Sequence, residues 1–395
     1  MIRTAKINRI DKKYACSFSI LNSDRDGKGP RVGMLQTPHG SFETPCFLPV
    51  ASFGDLRAIS FEEAKNCGTQ IIMVNGWHVY HQAGAEKLHK AGGVHNFINW
   101  PRSIFTDSGG YQIFSLRDTS KISDEGVVFD SYSGGDLNLL TPEYIIEVQR
   151  HIGSDIMTAL DECAPYPCSK KHAEGAMLRT NLWASKSIDA FNQSNSCYAY
   201  EQDLWGIIQG GVYKDLRKKS VETLTQMEFG GYGIGGLSIG MPQTAMRDMT
   251  SLVCDLLPSD KPRHLLGAGL PQNILDGIED GADMFDCVLP IRKAQRGVAF
   301  TKSGIVRYKN SQQSSLADMP LDTECDCFVC KTYSREQLRR FYRTEKDFAA
   351  RLSAIHNLYF YHKITEGARK AIREGTFAAY KSSFSSAYEI SNKNQ

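Results

Sequence analysis

Eight short apolar runs rich in β-branched residues recur along this 395-residue chain, most of them followed by a longer amphipathic stretch. The runs span 46–51, 70–75, 103–107, 155–161, 204–209, 231–237, 264–269 and 282–288, and their length and composition predict strands. Helical spacing predicts helices at 60–66, 142–151 (with Thr141 as N-cap), 172–193, 215–227, 243–257 and 271–280. Strands joined by helical crossovers pair in parallel, and eight of them predict an α/β fold of the (β/α)8 TIM-barrel kind. An open doubly wound sheet would carry a phosphate-cradling glycine pattern after an early strand. The glycine-rich GYGIGGLSIG comes too late for that, within and after the sixth strand, and suits close approach of backbone to a ligand.

Hydrophobic residues make up 41% of the chain and charged residues 23%, which excludes collagenous, coiled-coil and broadly disordered readings. No apolar run approaches the roughly 20 residues of a membrane-spanning helix, so no membrane association is expected. The basic start lacks the apolar core and small-residue cleavage site of a secretory signal. Eleven cysteines, mostly scattered singly but with three crowded at Cys325, Cys327 and Cys330, predict reduced thiols in the cytoplasm plus a metal site. The formal charge is only +2, so a nucleic-acid partner would need a local basic patch.

Two segments fall outside the repeat. Residues 127–140 alternate around Gly134 and Gly135 and predict a β-hairpin inserted at the barrel mouth. After the eighth strand a polar, strand-poor stretch leads through the cysteine cluster into helices. The expected organisation is a catalytic barrel over 14–305, a zinc-binding subdomain over 306–381, and tails at 1–13 and 382–395, the last Ser- and Asn-rich and expected to fray.

In such a barrel the C-terminal strand ends face the active site. Here they carry Asn75, Asp107, Asp161, Gln209, Gly236 with Leu237, Leu266 with Gly267, and Asp286. An Asp after a strand is often only a helix N-cap. Three of them, each in an apolar-Asp-small context, instead predict a site. Paired carboxylates can transfer a glycosyl group, with retention if one of them attacks the anomeric carbon. A third carboxylate with a Gln amide can read a polar heterocycle such as guanine.

The C-x-C-x-x-C spacing of Cys325, Cys327 and Cys330, with His356 beyond, supplies three thiolates and an imidazole. That set closes a tetrahedral zinc sphere without an open position, so one structural Zn2+ per chain is expected. From Lys331 to Arg373 eleven cations stand against four acids, interleaved with Phe341, Tyr342, Tyr359, Phe360 and Tyr361. This stretch is a candidate surface for a phosphate backbone. A solvated helix face with core aromatics is the alternative.

These residues together resemble the queuine tRNA-ribosyltransferases, also called tRNA-guanine transglycosylases. The resemblance rests on TDSGGYQIFSL (106–116), LDECAPYP (160–167), GIIQGG (206–211), GGLSIG (235–240), DMFDCVLPIR (283–292) and the Cys3His set. It implies a barrel with a zinc subdomain, usually a homodimer, that exchanges the wobble guanine in the anticodon loop of tRNAs for Asp, Asn, His and Tyr. The incoming base is a 7-substituted deazaguanine. By position, Asp286 matches the nucleophile and Asp107 the general acid/base. Asp161 matches the carboxylate on the guanine N–H edge, with Gln209 and the Gly236 amide on the base carbonyl. Tyr111 matches the aromatic that sandwiches the base, and Ser108 lies beside it. Leu237 offers its carbonyl to an aminomethyl group, and Arg292 matches an anticodon-loop contact. Cys163 and Ile239 resemble the bacterial pocket for 7-aminomethyl-7-deazaguanine rather than queuine.

Asn75 and His78 match a pair near the ribose, although the segment reads NGWH where the family commonly has NTYH. Other departures are Ile291 within PIR, Gln295 in place of a second arginine, and Leu266 in place of a methionine under the base. The competing readings are the same exchange with queuine, a non-catalytic partner subunit, a DNA-directed paralogue and a barrel glycoside hydrolase. The three acids weigh against the non-catalytic partner, and the zinc set against the hydrolase.

Overall fold

The eight apolar runs close into a parallel barrel in the computed structural model, which describes residues 14–23, 26–110, 120–129, 138–238, 240–308 and 318–393. An antiparallel meander comes first, β1 (Ser17–Ser23), β2 (Arg31–Thr37) and β3 (Gly40–Thr44). The barrel begins with β4 (Cys46–Ala51), β5 (Ile71–Asn75) and β6 (Ser103–Asp107). A small antiparallel sheet then interrupts it, β7 (Ser120–Ile122), β8 (Val127–Phe129) and β9 (Asn138–Leu140). The remaining staves are β10 (Ile156–Thr158), β11 (Asp203–Ile208), β12 (Gly231–Ile234), β13 (Arg263–Leu265) and β14 (Met284–Cys287). β14 returns to pair with β4, Met284 opposite Cys46 and Asp286 opposite Leu48.

Local chemistry explains the helix boundaries. Ser60 and Glu63 form a reciprocal capping box ahead of the helix Phe61–Asn66. Thr141 accepts from the Tyr144 N–H and Pro142 opens the helix Pro142–Ile152, which Gly153 ends in the left-handed region at φ 73°. The expected hairpin at 127–140 is present as β8 against β9, with β7 as a third strand that the alternation did not reveal. The turn glycines of that hairpin lie outside the described residues.

Two layers of core result. Inside the barrel, Leu48, Ile71, Met73, Phe105, Ile156, Trp205 and Met284 pack with Leu35 and Phe42 from the meander and with Cys16 just before it. Outside, apolar faces of the helices cover the opposite sides of the same strands. The meander therefore plugs the barrel floor, a role its sequence did not announce.

Two polar clasps hold it there. The Arg31 guanidinium, fully buried, donates to both oxygens of Asp283 at 2.9 and 2.6 Å and to the carbonyls of Gly27, Ser259 and Lys261. On the other side Asp155, also fully buried, accepts from the His39 N–H at 3.0 Å and the Ile104 N–H at 2.8 Å. The His39 ring lies 2.8 Å from one Asp155 oxygen and the His95 ring 3.3 Å from the other, and the two imidazoles stack with centroids 3.5 Å apart.

Beyond the barrel, β15 (Ala299–Thr301) and β16 (Gly304–Val306) form a short ribbon. The 28-residue helix Lys346–Arg373 then crosses back onto the barrel wall, where Tyr361 packs against Phe47 of β4. The tail expected to fray from Ser382 is instead part of the helix Phe377–Lys393. Its Phe384 and Tyr388, four residues apart on one face, are buried and stacked at 4.8 Å, and Lys381 pairs with Asp276 and Glu279. Polar composition hid an apolar stripe. Among the described residues no helix is long and apolar enough to cross a membrane, and all eleven cysteines are free thiols.

The Asp155 clasp has a pH signature. Burial pushes its carboxyl up, but the contacts with His39 and His95 outweigh this and bring it down to about 2. Because the folded value lies below the unfolded one, the stabilisation is complete above pH 4 or so and disappears as pH falls toward 2. Asp155→Asn should therefore cost about 2 kcal/mol at neutral pH and close to nothing near pH 2, read by denaturant unfolding across pH.

Candidate active site and metal centre

Strand register sets the rim of the barrel mouth. Asn75 and Asp107 end adjacent staves and are register partners. The Asn75 amide donates to one Asp107 oxygen at 2.8 Å, and the Gly76 N–H lies 3.3 Å from the other. The Asn75 side chain also accepts from the His78 N–H as helix cap, so its orientation is fixed from both ends. Burial pushes the Asp107 carboxyl up to about 7, against the donors at Gly76, Asn75 and Gly109 and with help from the charge of Asp286.

Gly76 packs tightly against the end of β6. A Cβ there would stand 2.9 Å from the Asp107 carbonyl oxygen and 3.3 Å from Ile152. A side chain at this position would require the backbone around it to shift.

Asp161 lies three residues beyond β10, and its oxygen accepts from the Gln209 amide at 2.7 Å. Cys163 lies against both, 3.6 Å from the carboxylate and 3.3 Å from the amide nitrogen. Burial raises the Asp161 carboxyl to about 6 even though Gln209 and Cys163 hydrogen bond to it. Backbone comes unusually close on two sides. A Cβ at Gly110 would fall 2.0 Å from an Asp161 oxygen, and one at Gly236, where φ is 72°, would fall 2.6 Å from the Gln209 oxygen. The slot beside these polar groups is thus walled by glycine on purely steric grounds.

Asp286 sits on the stave that closes the barrel. Its Oδ1 accepts from the Gly267 N–H at 2.9 Å. Oδ2 accepts no hydrogen bond among the described residues. The sequence reading missed a neighbour, His264, whose Nε2 lies 3.0 Å from the same Oδ1 inside the barrel. A histidine in the otherwise apolar run HLLG was the signal available for it.

Of the other expected residues, Ser108 is buried beside Asp107, and its hydroxyl has no partner among the described residues. Leu237 is buried in the wall, and Leu266 is half-buried beside Gly233. Arg292 is exposed on the helix Leu289–Ala294 directly after β14. Tyr111 and Ile239 lie outside the described residues. Trp77 of the NGWH segment packs with Val127, Leu140 and Trp183, which ties the inserted sheet to the rim.

The cysteine cluster assembles as its spacing predicted. The sulfurs of Cys325, Cys327 and Cys330 lie 3.7, 3.5 and 3.3 Å from His356 Nδ1. One nitrogen lone pair cannot accept from three thiols at once. Ligand bonds of 2.0–2.3 Å in a tetrahedral sphere give edges of about 3.6 Å, so the separations fit a shared metal ion. His356 Nε2 lies 2.8 Å from the Phe300 carbonyl, a contact that places the proton on Nε2 and leaves Nδ1 for the metal.

The basic stretch is less free than its composition suggests. Arg335 caps the carbonyls of Pro320 and Leu321, Arg351 pairs with Glu63, and Arg369 and Arg373 pair with Glu43. Phe360 and Tyr361 are buried. Lys331, Arg340, Arg343 and Lys346 are exposed and form no ion pair among the described residues.

A parallel barrel with three carboxylates and an amide at its mouth defines the class, a barrel enzyme of glycosyl-transfer type. A family profile described as queuine tRNA-ribosyltransferase matches residues 26–390. Three curated proteins, each named queuine tRNA-ribosyltransferase, are similar over most of their length. The one from Thermoanaerobacter sp. (strain X514) is 44% identical over 91% of this chain and 94% of its own. The one from Caldanaerobacter subterraneus subsp. tengcongensis is 42% identical over 95% and 98%, and the one from Geobacillus thermodenitrificans 42% identical over 95% and 97%. The chain belongs to the queuine tRNA-ribosyltransferase family.

Asn75→Ala removes a donor that favours charged Asp107, so the carboxyl should titrate above its present value of about 7. Carboxyl-carbon NMR of labelled protein would read the shift, and an unchanged midpoint would contradict the arrangement.

Proposed function

We propose that the protein exchanges guanine at the wobble position of tRNAs for Asp, Asn, His and Tyr for 7-aminomethyl-7-deazaguanine. The observation that carries this reading is the gathering of Asp107, Asp161 and Asp286 at one barrel mouth, each in a different electrostatic setting. Asp286, with Oδ1 held by Gly267, attacks the ribose anomeric carbon through Oδ2. The bond from that carbon to guanine N9 breaks, and its electron pair leaves with the base. Asp107, raised to about 7, gives the departing base its proton. The incoming base returns a proton to Asp107 and attacks the same carbon, and the bond to Asp286 breaks to regenerate the carboxylate. Two displacements retain configuration.

Asp161 accepts from the N–H edge of the base. The Gln209 amide donates to Asp161 and turns its other N–H from the Cys163 sulfur to the base carbonyl, beside the Gly236 amide. Tyr111 covers the ring, Ser108 and Leu266 border it, and Cys163 with the Leu237 carbonyl favours the aminomethyl substituent over queuine. Arg292 contacts the anticodon loop, and Lys331, Arg340, Arg343 and Lys346 supply phosphate contacts beyond it. Cys325, Cys327, Cys330 and His356 hold one structural Zn2+, which ties the C-terminal helices to β15 through Phe300. The reading carries with it a homodimer in the cytoplasm and a division into a catalytic barrel and a C-terminal zinc-binding part.

Purified protein should incorporate labelled guanine into unmodified tRNA, and Asp286→Ala should lower the rate by at least about a thousandfold and abolish a denaturant-resistant RNA adduct. Competition between the aminomethyl base and queuine then identifies the incoming substrate. Absence of incorporation by folded protein would overturn the reading. Chelation should release one equivalent of zinc and make the helices after Cys325 protease-sensitive. Protection unchanged after metal loss would contradict the structural role.

A further inference from the structure

His264 is the buried titratable group closest to the chemistry that the mechanism above leaves without a role. The ring is fully buried within the barrel, on β13, with the edge of Phe105 against it at 5.0 Å between centroids. Its strand neighbours at that level are Gly233 on β12 and Met284 on β14, which offer it no side-chain hydrogen bond. Neither ring nitrogen has an aligned hydrogen-bond partner among the described residues. Buried polar groups in folded proteins are almost always satisfied, so a fully buried imidazole of this kind calls for a partner. The group within reach is the Asp286 carboxylate, 3.0 Å from Nε2.

The contact is one-sided. Oδ1 already accepts from the Gly267 N–H at 2.9 Å, and it is Oδ1, not Oδ2, that faces His264. An imidazole with its proton on Nε2 would complete a two-donor clamp on Oδ1 by a small ring rotation. The carboxylate plane is then fixed and Oδ2 is left as the oxygen directed at substrate. Once Oδ2 is bonded to the sugar carbon, Oδ1 becomes an ester carbonyl, which the same two N–H groups continue to hold. Because the ring is sealed from the mouth, it can act only through Asp286.

We propose that His264 is the positioning residue of Asp286, selecting Oδ2 as the attacking oxygen; the proposal rests on the guanine-exchange reading. The test is single-turnover formation of the denaturant-resistant protein–RNA adduct at saturating tRNA, in wild type and in His264→Phe, His264→Leu and His264→Gln. Two removals are used so that a packing fault in one does not decide, and thermal unfolding identifies the folded variants. Phe and Leu should slow adduct formation about ten- to a hundredfold, as expected for loss of a hydrogen bond to a charged group, with the Kd for tRNA changed less than about twofold. Gln, whose amide nitrogen reaches the place of Nε2, should restore most of the rate. A folded Phe or Leu variant at the wild-type rate would overturn the proposal, as would Gln no faster than the removals. If wild type forms no adduct, the exchange reading itself fails and this one falls with it. An adduct in wild type with no effect at position 264 would sink the positioning role alone.

Discussion

Everything at the mouth depends on the closure of one hydrogen-bonded ladder, the pairing of β14 with β4. Without it Asp286, near the end of the barrel sequence, would be remote from Asp107 on β6. With it the last stave lies beside the first, and the two acids come close enough for the charge of one to raise the other. Closure is favoured by side chains such as Phe105, Trp205 and Met284 that fill the interior and by helices that cover the outside, so neither surface of the strands is left wet.

Asp155 and Asp283 at the floor and the acids at the mouth use polar groups to opposite ends, while burial also raises Asp203, at the start of β11, to about 7. At the floor, Asp155 and Asp283 are surrounded by donors, and burial is compensated by hydrogen bonds and paired charge. Those sites hold the meander in place. At the mouth, compensation is partial, which leaves Asp107 near 7 and Asp161 near 6. A carboxyl left incompletely satisfied can exchange a proton at neutral pH or accept a ligand's N–H. The partners at the floor include the Arg31 guanidinium and two imidazoles, whereas those at the mouth are neutral amides, a backbone N–H and a thiol.

The C-terminal helices follow a third logic. Their own core around Val306, Leu321, Val329 and Leu338 is small, and the Cys3His cluster sits at its edge. The long helix carries His356 on one turn and Tyr361, packed on the barrel, little more than a turn later. One helix thereby joins the cluster to the barrel wall. The pairing of its cations with Glu43 and Glu63 anchors the same helix at its flanks, leaving only a subset of the basic side chains for a phosphate backbone.

Barrel class, strand positions, the acids at the strand ends and the thiolate spacing were readable because they are local. A short β-branched apolar run, an Asp after it, and three cysteines within six residues each carry their meaning in adjacent residues. The meander was not readable, since its strands serve a floor that exists only once the barrel has closed. The helix through Ser382 was hidden because the few apolar residues that seat it are outnumbered by polar ones. Nor could sequence reveal that His264 meets Asp286, that Gly76 has no room for a side chain, or that Arg351, Arg369 and Arg373 of the basic stretch pair with acids some three hundred residues away. Sequence by itself determined which chemical groups the chain carries and the order of its elements, because periodicity and spacing are properties of neighbours. Tertiary structure alone decided which groups meet and how strongly burial shifts them, because desolvation and proximity depend on the whole fold.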